Sequence, residues 1–125
     1  MNNLKKDREF QLIYNSGRKS FGYYSLIFFK KNDQNLKRCG FVVSKKTGNA
    51  VCRNRLKRLF REYYRKYEEQ IKDNYDIIFV AKRNAGEKVK TLKYQDIEKD
   101  LLKVMNHNKQ KSRKINYEKN YTFIN

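Results

Sequence analysis

The chain has no tryptophan, two cysteines, a single histidine and only 13 acids against 31 lysines and arginines. Two cysteines build neither a disulfide framework nor a metal site, so Cys39 and Cys52 are read as reduced, packed thiols. His107, alone in a polar C-terminal stretch, is not read as catalytic. No carboxylate cluster offers Mg²⁺ ligands, and no nucleophile stands beside an obvious base. The expectation is a protein without catalytic residues or bound metal of its own. No apolar run approaches the length of a membrane span. Met1-Asn2-Asn3-Leu4-Lys5-Lys6 lacks the apolar stretch of a signal peptide, so a cytoplasmic location is expected.

What the chain has in excess is positive charge, a formal +18 over 125 residues. Such a chain attracts polyanions. Nucleic acid leads, ahead of acidic protein tails and anionic membranes, and binding to it weakens steeply with salt. The length fits one compact domain. Ten Tyr and eight Phe build a small core and leave rings for a surface.

Residues 5–15 read as a short amphipathic helix with Phe10, Ile13 and Tyr14 on one face, capped by Asp7 or an earlier Asn. Asn15-Ser16-Gly17 stops it. Residues 22–30 are rich in strand formers; Tyr24, Leu26 and Phe28 point one way, Tyr23, Ser25, Ile27 and Phe29 the other. After a polar turn, residues 37–44 return as a strand with Cys39, Phe41 and Val43 on one face, and the short connection predicts an antiparallel hairpin. Lys45 to Asn49 is a basic loop. Residues 50–72 form a long helix with Asn49 as its cap. Residues 75–81 are nearly continuous apolar, as in a strand buried on both faces. A basic loop over 82–93 precedes an amphipathic helix over 94–106. Residues 1–106 are therefore one domain. Residues 107–125 read as a basic, mostly disordered tail, in which Tyr117, Tyr121, Phe123 and Ile124 could dock on the body or a partner. The order helix, two or three strands, helix, strand, helix is an α+β fold with helices packed on a small sheet.

The long helix carries most of the functional argument. On a wheel, Leu56, Leu59, Phe60, Tyr63, Tyr67 and Ile71 fall on one side. Asn54, Arg55, Lys57, Arg58, Arg61 and Arg65 fall on the other, with Glu62 the nearest acid. Like charges three and four residues apart repel, and a solvated structural face normally mixes Glu with Lys. This one does not, so an anion completes it. Arginine also suits bidentate phosphate contact and stacking on bases.

Ser44-Lys45-Lys46, Gly48-Asn49-Ala50-Val51, Arg53-Asn54-Arg55-Leu56-Lys57-Arg58 and Arg61-Glu62, in that fixed spacing, resemble the signature of bacterial ribonuclease P protein subunits. The similarity spans roughly residues 4–105. The family often has Phe where this chain has Tyr14, and a Pro near Asn84; this chain has no proline. Tyr preserves stacking, and the missing Pro alters only loop stiffness.

The resemblance implies a small, mostly antiparallel four-stranded sheet packed with three helices, with a left-handed βαβ crossover through the basic helix, against the general rule. It implies a non-catalytic subunit of a ribonucleoprotein endoribonuclease. The RNA subunit holds Mg²⁺ and hydrolyses precursor tRNA; the protein binds both RNAs. Arg53, Asn54, Arg55, Lys57, Arg58, Arg61 and Arg65 would face the catalytic RNA. Phe10, Tyr14 and Phe28 would line a groove for the single-stranded 5′ leader, where stacking tolerates many sequences. Lys45, Lys46, Lys82 and Arg83 would take leader phosphates. Ordinary core packing is the competing reading of the rings. A generic basic RNA-binding or ribosome-associated protein is the rival function. A protein-only nuclease would need Asp76, Glu87, Asp96, Glu98 and Asp100 to assemble into a metal site, and a membrane-surface helix would need a less aromatic apolar face.

Overall fold

The structure is a computed structural model that describes the backbone of residues 1–116 and the side chains of residues 1–105. In chain order it contains α1 (Asp7–Ser16), β1 (Arg18–Phe21), β2 (Ser25–Lys31), β3 (Arg38–Val42), α2 (Ala50–Tyr67), β4 (Tyr75–Ala81), α3 (Arg83–Glu87) and α4 (Tyr94–Asn116). The α+β class holds. The sheet order is β1-β2-β4-β3.

The predicted hairpin between residues 22–30 and 37–44 does not form, because β4 lies between them. It pairs antiparallel with β2 and parallel with β3. Ile77, Ile78 and Phe79 are all fully buried, and only a central strand covered on both faces satisfies that sequence. The chain reaches β4 from β3 through α2, a βαβ crossover. The hairpin that does form joins β1 to β2. β1, Arg-Lys-Ser-Phe, carries one apolar residue and gave no strand signal. It is an edge strand, where that composition is tolerated.

The alternation assigned to β2 and β3 is correct. Ile27 and Phe29 join Cys39, Val43, Ile77 and Phe79 beneath α2 and α4. Phe28 and Ile78, with half-buried Leu26, Val42 and Val80, face the other way toward α1. Tyr24 departs from its assigned face: it precedes β2 and packs with the α2 side.

Asn49 caps α2 as expected, its side-chain oxygen accepting the Cys52 N–H at 2.9 Å; an N-cap of this kind contributes about 1 kcal/mol. Leu56, Leu59, Phe60 and Tyr63 are buried on the expected stripe, and Tyr64 joins them. The helix ends at Tyr67, earlier than the pattern indicated. A 3₁₀ turn over Glu68–Gln70 follows, and Ile71 enters the core from beyond the helix. The cap of α1 also differs. Glu9 reaches back to accept the N–H groups of Lys5 and Lys6 at 3.1 and 3.0 Å, so an N3 carboxylate closes the helix start. Part of the basic 82–93 stretch is helical, as α3, and the last helix runs past residue 106 to Asn116. The side chain of His107 and the whole of Tyr117 to Ile124 lie outside the described residues.

Candidate RNA-binding surfaces

Strand directions sort the charged side chains to the two ends of the sheet. Because β3 and β4 are parallel and β2 runs against them, one end collects the exit of β3, the exit of β4 and the β1–β2 turn. Lys45, Lys46, Lys82 and Arg83 lie there. The 3₁₀ turn Lys45–Thr47 is locked onto α3. A Cβ on Gly86 would fall 1.8 Å from the Thr47 carbonyl oxygen, so only glycine allows that approach. Lys45, Lys46 and Arg83 are exposed. Lys82 is half-buried and donates to the Gly22 carbonyl at 2.8 Å.

At the opposite end an ion-pair cluster joins α1 to the sheet. The Arg38 guanidinium donates from Nε and Nη2 to the two oxygens of buried Asp76 at 2.9 and 2.7 Å. Its Nη1 meets Glu9 Oε2 at 2.6 Å. Asn32 adds a third donor to Asp76 at 2.7 Å. The N–H groups of Lys6 and Lys5, with Arg38 beside them, hold the Glu9 carboxyl down at about 2. This cluster, which periodicity gave no means of finding, pins the start of α1 to the sheet.

So anchored, α1 carries Phe10 and Tyr14 across the sheet. Phe10 sits on Gly40: a Cβ there would meet the ring at 2.6 Å. The Phe10 and Tyr14 ring centres are 6.3 Å apart. Tyr14 meets Phe28 edge to face at 4.9 Å, and burial pushes its phenol pKa upward. Phe10 and Tyr14 are half-buried. Phe28 is only 8% exposed, so it lies covered by its neighbours rather than open beside the other two rings. Lys19, from β1, lies 5.7 Å over the Phe28 ring. The three rings thus come together as expected. Beyond them the sheet face continues through half-buried Leu26, Val42 and Val80 toward the basic end. These aliphatic residues and Lys19 share the face of Phe28 and were not singled out in the sequence; strand parity was the available signal.

The second surface is the outer face of α2. Asn54, Arg58 and Arg65 are exposed, while Arg53, Lys57 and Arg61 are half-buried. Among the described residues, no carboxylate lies within ion-pair distance of Lys57, Arg58 or Arg65. Arg61 lies 5.4 Å over the Phe41 ring, which fixes the row beside β3. Arg53 reaches back to the Gly48 carbonyl at 3.4 Å. Arg55 leaves the row. It donates from Nε to the Val89 carbonyl at 3.2 Å and from Nη2 to the Leu92 carbonyl at 2.7 Å, tying α2 to the segment before α4. One unexpected member is Val51, 78% exposed at the start of this helix.

The described acids of α4 each have separate partners. Glu98 binds Lys66 at 2.7 Å and accepts from Tyr67 and Tyr94. Asp100 holds the β1–β2 turn, and Asp96 accepts the Lys93 N–H at the start of α4. Among the described residues, no three metal-ligating side chains come together. No helix among them is long and apolar enough to cross a membrane.

Comparison with known proteins identifies the family and the fold. Residues 1–109 match the family model described as Ribonuclease P. The ribonuclease P protein component of Fusobacterium nucleatum is 61% identical over 109 residues, covering 87% of this chain and 98% of that protein. That of Clostridioides difficile is 39% identical over 99 residues, 78% of this chain and 83% of its relative. Among solved structures, the Thermotoga maritima RNase P protein superposes with a TM-score of 0.74 at 30% identity, covering 82% of this chain and 94% of that one. The Staphylococcus aureus protein gives 0.75 at 31%, covering 85% and 94%. The chain belongs to the family of bacterial ribonuclease P protein components.

Proposed function

We propose that this ribonuclease P protein component works through two surfaces, one for each RNA. The outer face of α2, with Arg53, Asn54, Lys57, Arg58, Arg61 and Arg65, binds phosphates of the catalytic RNA. Such contacts position a protein without reading sequence. The groove between α1 and the sheet binds the single-stranded 5′ leader of precursor tRNA. Phe10 and Tyr14 offer ring surfaces to bases, with Phe28 backing them. Lys45, Lys46, Lys82 and Arg83 take leader phosphates at the basic end. Arg55 supports the α2 face from behind.

The observation that carries this reading is a pair of half-buried rings, Phe10 and Tyr14, on a sheet face that runs on through half-buried Leu26, Val42 and Val80 to the basic end. The Mg²⁺ used in hydrolysis belongs with the RNA on this reading. The described acids at the sheet and α4 are committed instead to Arg38, Lys66 and backbone N–H groups. The protein's part is to hold the leader, add positive charge between two polyanions and so lower the Mg²⁺ the RNA needs. A cytoplasmic place of action follows from that role.

The test is cleavage of a precursor tRNA by the ribonuclease P RNA of the same organism at low Mg²⁺. The wild-type protein is expected to stimulate strongly, and Arg58→Ala with Arg65→Ala to require several-fold more protein. Absence of stimulation by the wild-type protein would reduce it to a basic RNA-binding domain.

A further inference from the structure

The aromatic line does not stop at Phe28. The register of β1 on β2 sets Lys19 opposite Phe28 and Phe21 opposite Leu26. Phe21 is therefore on the groove side of the sheet, across one strand and two residues along from Phe28, roughly 8 Å away by ideal sheet spacing. Its ring is 68% exposed. The cation–ring pairing of the groove repeats there: Lys19 lies 5.7 Å over Phe28, and Lys82 lies 6.0 Å over Phe21.

The turn presenting Phe21 is held firmly. Asp100, buried under it, accepts the Tyr23 and Tyr24 N–H groups at 2.6 and 3.0 Å and the Ser25 hydroxyl at 2.9 Å. Asn84 donates to the Tyr23 carbonyl at 2.9 Å. A Cβ at Gly22 would fall 2.7 Å from the Asp100 carboxylate. These contacts fix the turn that follows Phe21, so its exposed ring is offered from a preorganised backbone. The Lys82 ammonium gives one proton to the Gly22 carbonyl and has two others to offer.

We propose that Phe21 and Lys82 form a further nucleotide subsite, which stacks one leader base on the Phe21 ring and binds its phosphate at Lys82. The subsite rests on the leader reading of the groove and extends that groove around the edge strand. It is not part of the ring trio, and it lengthens the leader footprint by a nucleotide.

The test uses the reconstituted holoenzyme and precursor tRNAs carrying 2-aminopurine at successive leader positions. Wild type is expected to quench a contiguous set of positions. Phe21→Leu, which keeps apolar bulk at an exposed site, is expected to lose quenching at one end position only. It should also weaken long-leader substrate about five- to tenfold, the lower part of the range for one base stacked on a ring. Phe21→Tyr should restore both. Wild-type behaviour of Phe21→Leu at every position would overturn the subsite while leaving the groove standing. A change of sedimentation with Phe21→Leu would reassign the ring to a contact between chains. Quenching at no position in wild type would overturn both the groove and the subsite.

Discussion

Arg55 and Arg58 sit three residues apart in one basic helix, and the structure gives them surroundings different enough to predict separate effects. Arg55→Ala removes two hydrogen bonds from a charged donor to the Val89 and Leu92 carbonyls. Charged hydrogen bonds contribute about 1.5–3 kcal/mol each when shielded. Arg55 is half-buried and its 3.2 Å bond is the weaker, so the pair is worth about 2–3 kcal/mol together. At roughly 4 °C per kcal/mol for a chain of this size, Tm should fall by about 8–12 °C. Arg58 is exposed with no described partner, so Arg58→Ala should move Tm by about 2 °C at most, as surface substitutions do. Affinity for ribonuclease P RNA over a salt series should show the reverse. Arg58→Ala should reduce the slope of log affinity against log salt by about one, the loss of one phosphate contact, while the folded fraction of Arg55→Ala keeps the wild-type slope. If Arg55→Ala keeps the wild-type Tm and loses a unit of slope, its guanidinium lies on RNA and the assignment fails.

Further outcomes follow from the supports of the groove. The Glu9 carboxyl has its folded-state pKa lowered from 4.5 to about 2, so its stabilisation is complete above pH 4.5 and is lost as pH falls from 4.5 toward 2; urea midpoints should drop more in that window for wild type than for Glu9→Gln, and equal drops would remove Glu9 from the account. Gly40→Ala forces a Cβ against Phe10 and should destabilise by about 1–3 kcal/mol in chemical denaturation, with weaker leader binding; a neutral substitution would mean that Phe10 does not rest there. Asp100→Ala strips three hydrogen bonds from the β1–β2 turn and should cost about 2–4 kcal/mol, read by hydrogen exchange at Tyr23 and Tyr24; unchanged protection there would show that the turn holds itself.

The legible parts of this protein were those governed by one local pattern. The wheel of residues 50–71 gave the buried stripe as far as Tyr63 and the cationic face, because helical periodicity is set by the chain itself, but it could not show the helix ending at Tyr67. Strand parity put Phe28 and Ile27 on opposite faces of the sheet for the same reason. Which strands are neighbours was not legible: pairing of β2 with β4 rather than β3 depends on burying Ile77 to Phe79 on both sides, a demand of the whole sheet. The Arg38–Asp76–Glu9 cluster joins residues distant in sequence, and no local pattern marks it. The two carbonyls that Arg55 meets were not legible either, because a wheel assigns a face but not the groups beside it. The signature around Arg53 to Arg58 pointed to the family before any of this geometry, whereas the Phe21 ring became visible only once its register was known.

The central claim is that the groove, and not overall charge, recognises the leader. The direct measurement is the ratio of holoenzyme affinities for precursor and mature tRNA, with wild-type protein and with Tyr14→Ala. Wild type should prefer the precursor, and Tyr14→Ala should cut that preference about tenfold while mature tRNA binds as before. Equal loss of affinity for both tRNAs, or an unchanged preference, would contradict the account.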